Sequence, residues 1–128
     1  MPRVLVIEDD PEQCEIYSRL LYYNGFDVEC AASAEAGVLM AEASLPDVIM
    51  LDVILPGMDG LRATSLLKNS PRTARIPIII FSAHDISPDA VRRARGDDFL
   101  RKPLRGDVMV RAIRKLIGWQ DARPPEPA

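Results

Sequence analysis

Long hydrophobic runs are missing from this chain. No apolar stretch approaches the ~20 residues that a membrane-spanning helix takes, so no membrane partner is expected. Cysteine and histidine are scarce: Cys14 and Cys30 fall in different expected elements and form no CxxC pair, and the single histidine, His84, has no cluster of ligands around it. A thiolate or imidazole metal centre is therefore excluded. The two cysteines read as reduced, small core residues of a cytoplasmic protein. The start, Met-Pro-Arg followed at once by a short apolar run, lacks the layout of a secretory signal. No internal repeat is found.

What is present suffices for one core. A chain of 128 residues is the size of one domain, and 48% hydrophobic content is too high for a disordered segment. The net charge of −3 argues against indiscriminate nucleic-acid binding, but the charge is unevenly spread. Residues 1–60 carry twelve acids and two bases, and residues 61–128 carry seven acids and fourteen bases. The early acids could hold a metal, and the late bases could meet an acidic or phosphorylated partner. For most of these charges, Arg92, Arg93 and Arg95 included, a solvated helix face is the preferred reading.

Short β-rich runs alternate with helix signals. The runs are Val4 to Ile7, Phe26 to Cys30, Val48 to Leu51, Ile76 to Phe81 and Phe99-Leu100. Three are apolar throughout, as strands buried on both faces are. Asp10-Pro11-Glu12-Gln13 offers an N-cap, a proline at the first helical position and a capping-box glutamine. That helix places Cys14, Tyr17 and Leu21 inward and stops at Asn24-Gly25. Ser33 opens a second helix, Ala34 to Ala43, closed by Leu45-Pro46. Asp59-Gly60 opens a third, ending near Asn69-Ser70-Pro71; Ser87-Pro88 opens a short fourth, ending at Gly96. The last runs from about Arg105 to Gly118, with Met109, Ile113 and Leu116 or Ile117 inward. Five β/α units imply a parallel sheet with helices on both faces, and function at the carboxyl ends of the strands.

Those ends carry Glu8, Asp9 and Asp10, then Asp52, Ser82-Ala83 and Lys102-Pro103. Carboxylates converging on one rim repel unless a cation sits among them. Oxygen-only ligands suit a hard ion, Mg²⁺ foremost. A hydroxyl and an ammonium opposite them suit a phosphoryl group.

On these residues the chain resembles the receiver domains of two-component response regulators. The motifs are Val-Leu-Val-Ile-Glu-Asp-Asp (4–10), Asp-Val-Ile-Met-Leu-Asp-Val-Ile-Leu-Pro-Gly-Met-Asp-Gly (47–60), Ile-Ile-Ile-Phe-Ser-Ala (78–83) and Asp-Asp-Phe-Leu-Arg-Lys-Pro-Leu (97–104). The resemblance, over residues 3 to about 118, implies a flavodoxin-like (βα)5 doubly wound α/β fold, strand order 2-1-3-4-5, so 1–118 is read as the receiver domain. The prolines of 123–128 cannot continue a helix, so 119–128 is read as a flexible Pro-rich tail. The resemblance also implies that Asp52 is the phosphoacceptor and that Asp9, Glu8 through water, Asp52 and the backbone carbonyl of Ile54 hold Mg²⁺. By the same resemblance Ser82 senses the phosphoryl group, Lys102 pairs with it and precedes a cis Pro103, and Phe99 changes rotamer. The implied partners are a sensor histidine kinase or phosphotransfer protein and a downstream effector protein, with the chain a monomer or a phosphorylation-dependent dimer. The domain would be a phosphoacceptor that assists its own phosphorylation and dephosphorylation, not an enzyme acting on an external substrate.

The chain also departs from the family pattern. The stretch from Ser82 to Lys102 is slightly short, Arg95-Gly96-Asp97-Asp98 lacks the usual alanine after glycine, and Phe99 replaces the commoner tyrosine. A short or loosely held fourth helix is expected, with the segment from His84 to Arg95 the most mobile part. His84 reads as a rim residue and Asp59-Gly60 as a helix cap. Two functions of other classes compete with this reading. A Mg²⁺-dependent phosphohydrolase would need a substrate pocket that these short loops do not supply. A pseudo-receiver scaffold would be expected to have lost an acid or the lysine. A receiver module of a hybrid kinase or longer regulator remains the other form of the first reading.

Overall fold

Val4–Ile7, Val48–Leu51 and Ile78–Phe81 contain no polar side chain, and they become the three inner strands of one sheet. The computed structural model describes residues 1–118. Its elements are β1 (Arg3–Ile7), α1 (Pro11–Tyr23), β2 (Asp27–Ala31), α2 (Ala34–Ser44), β3 (Val48–Asp52), α3 (Gly60–Lys68), β4 (Ile78–Ser82), α4 (Pro88–Ala94), β5 (Asp98–Arg101) and α5 (Gly106–Leu116). All strand pairs are parallel, in the order β2-β1-β3-β4-β5, which is the expected doubly wound arrangement. The Pro-rich segment 119–128 lies outside the described residues.

Alternation along each strand sends side chains to two separate cores. Leu5, Ile7, Ile49, Leu51, Ile78 and Ile80 pack under α2, α3 and α4 with Ala34, Ala41, Ala63, Leu67 and Val91. Val4, Val6, Val48, Met50, Ile79 and Phe81 pack under α1 and α5 with Cys14, Tyr17, Leu21, Met109 and Ile113. Cys14 and Ile113 thus share a face, as the expected topology requires. Leu116 and Ile117 are only half-buried against that second core.

Four helices start on a side-chain cap worth about 1 kcal/mol each: Asp10, Ser33, Asp59 and Ser87 accept from the N–H of Glu12, Ala36, Arg62 and Ala90. Gly25, at φ 96°, makes the left-handed turn out of α1. The helix α4 is short, seven residues, and ends with Arg95 itself left-handed at φ 66°.

Several sequence expectations are corrected. The capping box of α1 does not form through Gln13; the Asp10 N–H instead donates to Glu8 Oε2 over 3.2 Å. Phe26 is buried one residue before β2 begins, and β4 starts at Ile78 rather than Ile76. Asp52 and Ser82 are the last residues of their strands rather than the first beyond them. The cysteines are not two separate thiols: Cys14 and Cys30, with Cα atoms 6.4 Å apart, form a disulfide. The packing of α1 against β2 brings them together, and Cys30 lies exposed on the edge strand instead of in the core.

Candidate functional site

The rim of the sheet is built by three strand ends and one strand-to-helix turn. Glu8 follows β1, and its N–H donates to Ala31 O at 3.0 Å, so the sheet pairing carries on past the strand. The residue is 3% exposed. Asp52, 4% exposed, ends β3 opposite Phe81 of β4. Asp9, between Glu8 and the Asp10 cap, is exposed. Carboxylate oxygens of Glu8, Asp9 and Asp52 lie within 4.8 Å of one another.

Lys102 comes from the far side of the sheet. Its N–H donates to Ser82 O at 2.8 Å, extending the β4–β5 pairing by one residue, and the bond to Pro103 is cis as expected. Its Nζ donates to Asp52 Oδ2 at 2.9 Å and to Glu8 Oε1 at 3.0 Å, and sits 5.2 Å from the Phe81 ring centroid. Burial alone would lower the lysine's pKa, but its hydrogen bonds to Asp52 and Glu8 outweigh that and hold it above the ordinary lysine range. Glu8 moves the other way from a typical paired acid. Burial pushes its carboxyl above the usual range, and the Asp52 charge adds to this, while Lys102 and the Asp10 N–H pull it back.

Ser82 is fully buried, and its Oγ accepts from the His84 N–H at 3.0 Å. His84 itself is an exposed rim residue. Ile54 lies two residues past Asp52, and its N–H donates to Asp52 Oδ1 at 3.2 Å. Phe99 is half-buried on β5 beside Ile80, under the α2–α4 core, and faces a notch of about 300 Å³ with Ile86, Pro88 and Val91. The structure therefore brings Glu8, Asp9, Asp52 and Lys102 into one cluster, with Ser82 at the adjoining strand end. Phe99 stands apart in the α4–β5 notch.

Three contributors escaped the sequence reading. Phe81 lies beneath the lysine ammonium. Arg101 braces the loop after β4 by donating to Ala83 O at 3.0 Å and pairing with Asp85. Gly60 passes so close to β3 that a Cβ there would lie 2.1 Å from the Asp52 carbonyl oxygen. An apolar strand residue and a lone surface arginine carry no pattern that marks such roles, and Gly60 was visible only as part of a cap.

Three carboxylates and one ammonium leave excess negative charge on a partly buried rim that offers only oxygen ligands. Such a donor set fits a hard divalent cation.

The model of the response regulator receiver domain matches residues 4–114. The DNA-binding dual master transcriptional regulator RpaA of Synechocystis is 35% identical over 126 residues, 97% of this chain and 52% of its own length. Protein PilH of Pseudomonas aeruginosa is 30% identical over 119 residues, 91% of this chain and 98% of its own. The chain thus spans about half of RpaA but nearly all of PilH. Among solved structures, the receiver domain of the sensor histidine kinase PA1611 of P. aeruginosa superposes with TM-score 0.84 at 28% identity, over 91% of this chain and 98% of that one. It is described with a magnesium ion coordinated in its active-site cleft.

Proposed function

This chain belongs to the response regulator receiver domain family, and from that premise we propose that it is a phosphorylation-activated switch of a two-component system. Asp52 is the acceptor, and a sensor histidine kinase or phosphotransfer protein is the donor. The observation that carries this reading is the Asp52 carboxylate, buried at a strand end, bonded to Lys102, with Glu8 and Asp9 beside it.

Glu8, Asp9, Asp52 and the carbonyl of Ile54 would hold Mg²⁺. When bound, the ion supplies the positive charge that lets two anions, carboxylate and phosphoryl, approach. An Asp52 oxygen forms the new O–P bond while the P–N bond of the donor phosphohistidine breaks and its electron pair returns to the imidazole. The fold contributes position more than chemistry, since phosphoryl transfer asks chiefly for in-line placement and charge neutralisation. Lys102, already within hydrogen-bond distance of Asp52, turns to the phosphoryl oxygens. Ser82 Oγ accepts from His84, which leaves its own proton to donate to the same group. Its inward shift vacates space for Phe99, and the face made by α4 and β5 changes for a downstream effector protein. Water later hydrolyses the acyl phosphate and resets the switch.

PilH, matched along nearly its whole length, supports a stand-alone receiver; RpaA, matched along about half, supports a receiver module of a longer regulator. The cytoplasm is the proposed compartment, and a monomer or a phosphorylation-dependent dimer the proposed state. Incubation with acetyl phosphate and Mg²⁺, followed by intact-mass measurement, tests the reading. Wild type should gain the mass of one phosphoryl group and Asp52→Asn none; labelling of the variant would place the acceptor elsewhere.

A further inference from the structure

The Cys14–Cys30 disulfide lies beside the acidic rim, and its two anchors are the segments that carry that rim. Cys14 sits in the first turn of α1, and its N–H donates to the carbonyl of Asp10, the residue that follows Glu8 and Asp9. Cys30 pairs in register with Val6 of β1, and its neighbour Ala31 accepts the Glu8 N–H. The bond therefore closes a clamp around the turn from β1 to α1. One open groove of about 400 Å³ is lined by Glu8, Asp9, Cys14, Ser18, Cys30 and Ala31.

The two sulfurs are unequal. Cys14 is buried and Cys30 is exposed in that groove, so an incoming thiol meets Cys30 first. The site also suits the reduced form. The Ser18 hydroxyl donates to Cys14 O at 2.7 Å and lies 3.2 Å from Cys30 Sγ, so its lone pair can accept a Cys30 S–H.

We infer that Cys14 and Cys30 form a reversible thiol–disulfide exchange site, entered at Cys30, whose state sets the rigidity of the turn carrying Glu8 and Asp9. The reductant is a dithiol. One of its thiolates attacks Cys30 Sγ, giving a mixed disulfide as the S–S electron pair leaves on Cys14, which takes up a proton. The second thiolate then attacks the reductant's own sulfur in the mixed disulfide and releases Cys30. Cys30 takes up the second proton, so the protein disulfide is reduced to two thiols as the dithiol becomes a disulfide, two electrons and two protons passing from the dithiol to the protein. The oxidant for the return is a low-molecular-weight disulfide. The inference stands on the geometry of these two segments, whatever ion or phosphoryl group the rim accepts.

The whole chain, folded, is equilibrated in buffers of graded glutathione disulfide-to-thiol ratio, quenched, alkylated and weighed. The expected result is one two-electron transition between no label and two labels, reversed by dithiothreitol without denaturant. Hydrogen exchange is then compared in the two forms. Amides from Asp9 to Cys14 and from Glu29 to Ala31 should exchange several-fold faster in the dithiol form. Cys30→Ser should exchange like the dithiol form under both conditions. A disulfide that resists dithiothreitol until the protein unfolds would overturn the inference, as would thiols that never pair or equal exchange in the two forms.

Discussion

Lys102 Nζ donates to Asp52 Oδ2 over 2.9 Å, joining the ends of β5 and β3 across fifty positions of sequence. The same ammonium reaches Glu8, so one cation bridges two buried carboxylates and offsets their mutual repulsion. Removing one partner of a buried ion pair leaves uncompensated charge, which costs more than the pair itself contributes. Lys102 keeps a side-chain exposure of 22%, which softens the effect. Lys102→Ala should lose about 2 kcal/mol at neutral pH in denaturant unfolding, and part of the loss should disappear in acid as Glu8 takes up a proton. An unchanged midpoint would mean that water, not Lys102, balances these carboxylates.

The raised Glu8 carboxyl has a consequence of definite sign. For an acid whose folded value exceeds its unfolded one, here 4.5, the folded state binds more protons in the interval between them. Stability therefore rises as pH falls through that interval, and the cost of a charged, buried Glu8 is felt above it. In the presence of a chelator, wild type should gain stability relative to Glu8→Gln as pH falls from neutral toward the ordinary carboxylate range. Parallel curves for the two proteins would remove the burial penalty from Glu8.

Gly60 is constrained by Asp52 from behind. A methyl group there would meet the Asp52 carbonyl oxygen at 2.1 Å and Leu51 Cδ2 at 2.5 Å, and backbone cannot step aside as a side chain can. Gly60→Ala should cost about 2 kcal/mol or more and should shift the Asp52 resonances more than those of β2. A Gly60→Ala protein of wild-type stability would show that α3 can start farther from the sheet.

Much of this architecture is legible in the residue order because local signals and the global pattern agree. Asp10-Pro11 and Ser87-Pro88 start helices where the caps are found, and the apolar runs from Val4, Val48 and Ile76 read as strands buried on both faces, which they are, the last from Ile78. The acids and the lysine were legible as a set because strand ends on one rim must converge. The disulfide was not: whether Cys14 meets Cys30 depends on how α1 turns against an edge strand, and the spacing of 16 residues carries no code for that angle. Nor could Arg101 be told from other surface arginines, since its role arises only when Ala83 and Asp85 curl back over it. Gln13 offered a standard capping partner and lost it to Glu8, whose carboxylate is held nearby by β1 and Lys102.

The link from acceptor to surface is the most demanding prediction, because Ser82 and Phe99 sit in different surroundings. Ser82 is sealed at the end of β4 with its Oγ engaged by the His84 N–H, while Phe99 on β5 borders the notch beneath α4. Two paths join them: the β4–β5 pairing, with Ser82 opposite Arg101 and Ile80 opposite Phe99, and the segment that begins at Ala83. That segment is braced by Arg101 and leads into a seven-residue helix with only Val91 and Ala94 buried, so it should yield before the inner strands do. Ser82→Ala removes the hydroxyl and the acceptor for His84 but leaves Asp52 and Lys102 in place. The variant should still be labelled by acetyl phosphate at Asp52, yet show at most a small NMR shift at Phe99 and across residues 84–95 when beryllofluoride and Mg²⁺ are added. Wild type should show a large one, and Asp52→Asn none. In the unmodified wild type, amides from His84 to Arg95 should also exchange faster than those of β1 and β3. A full Phe99 response in Ser82→Ala would mean that the signal leaves Asp52 by another route, with Lys102 and the cis Pro103 turn the next segment to test.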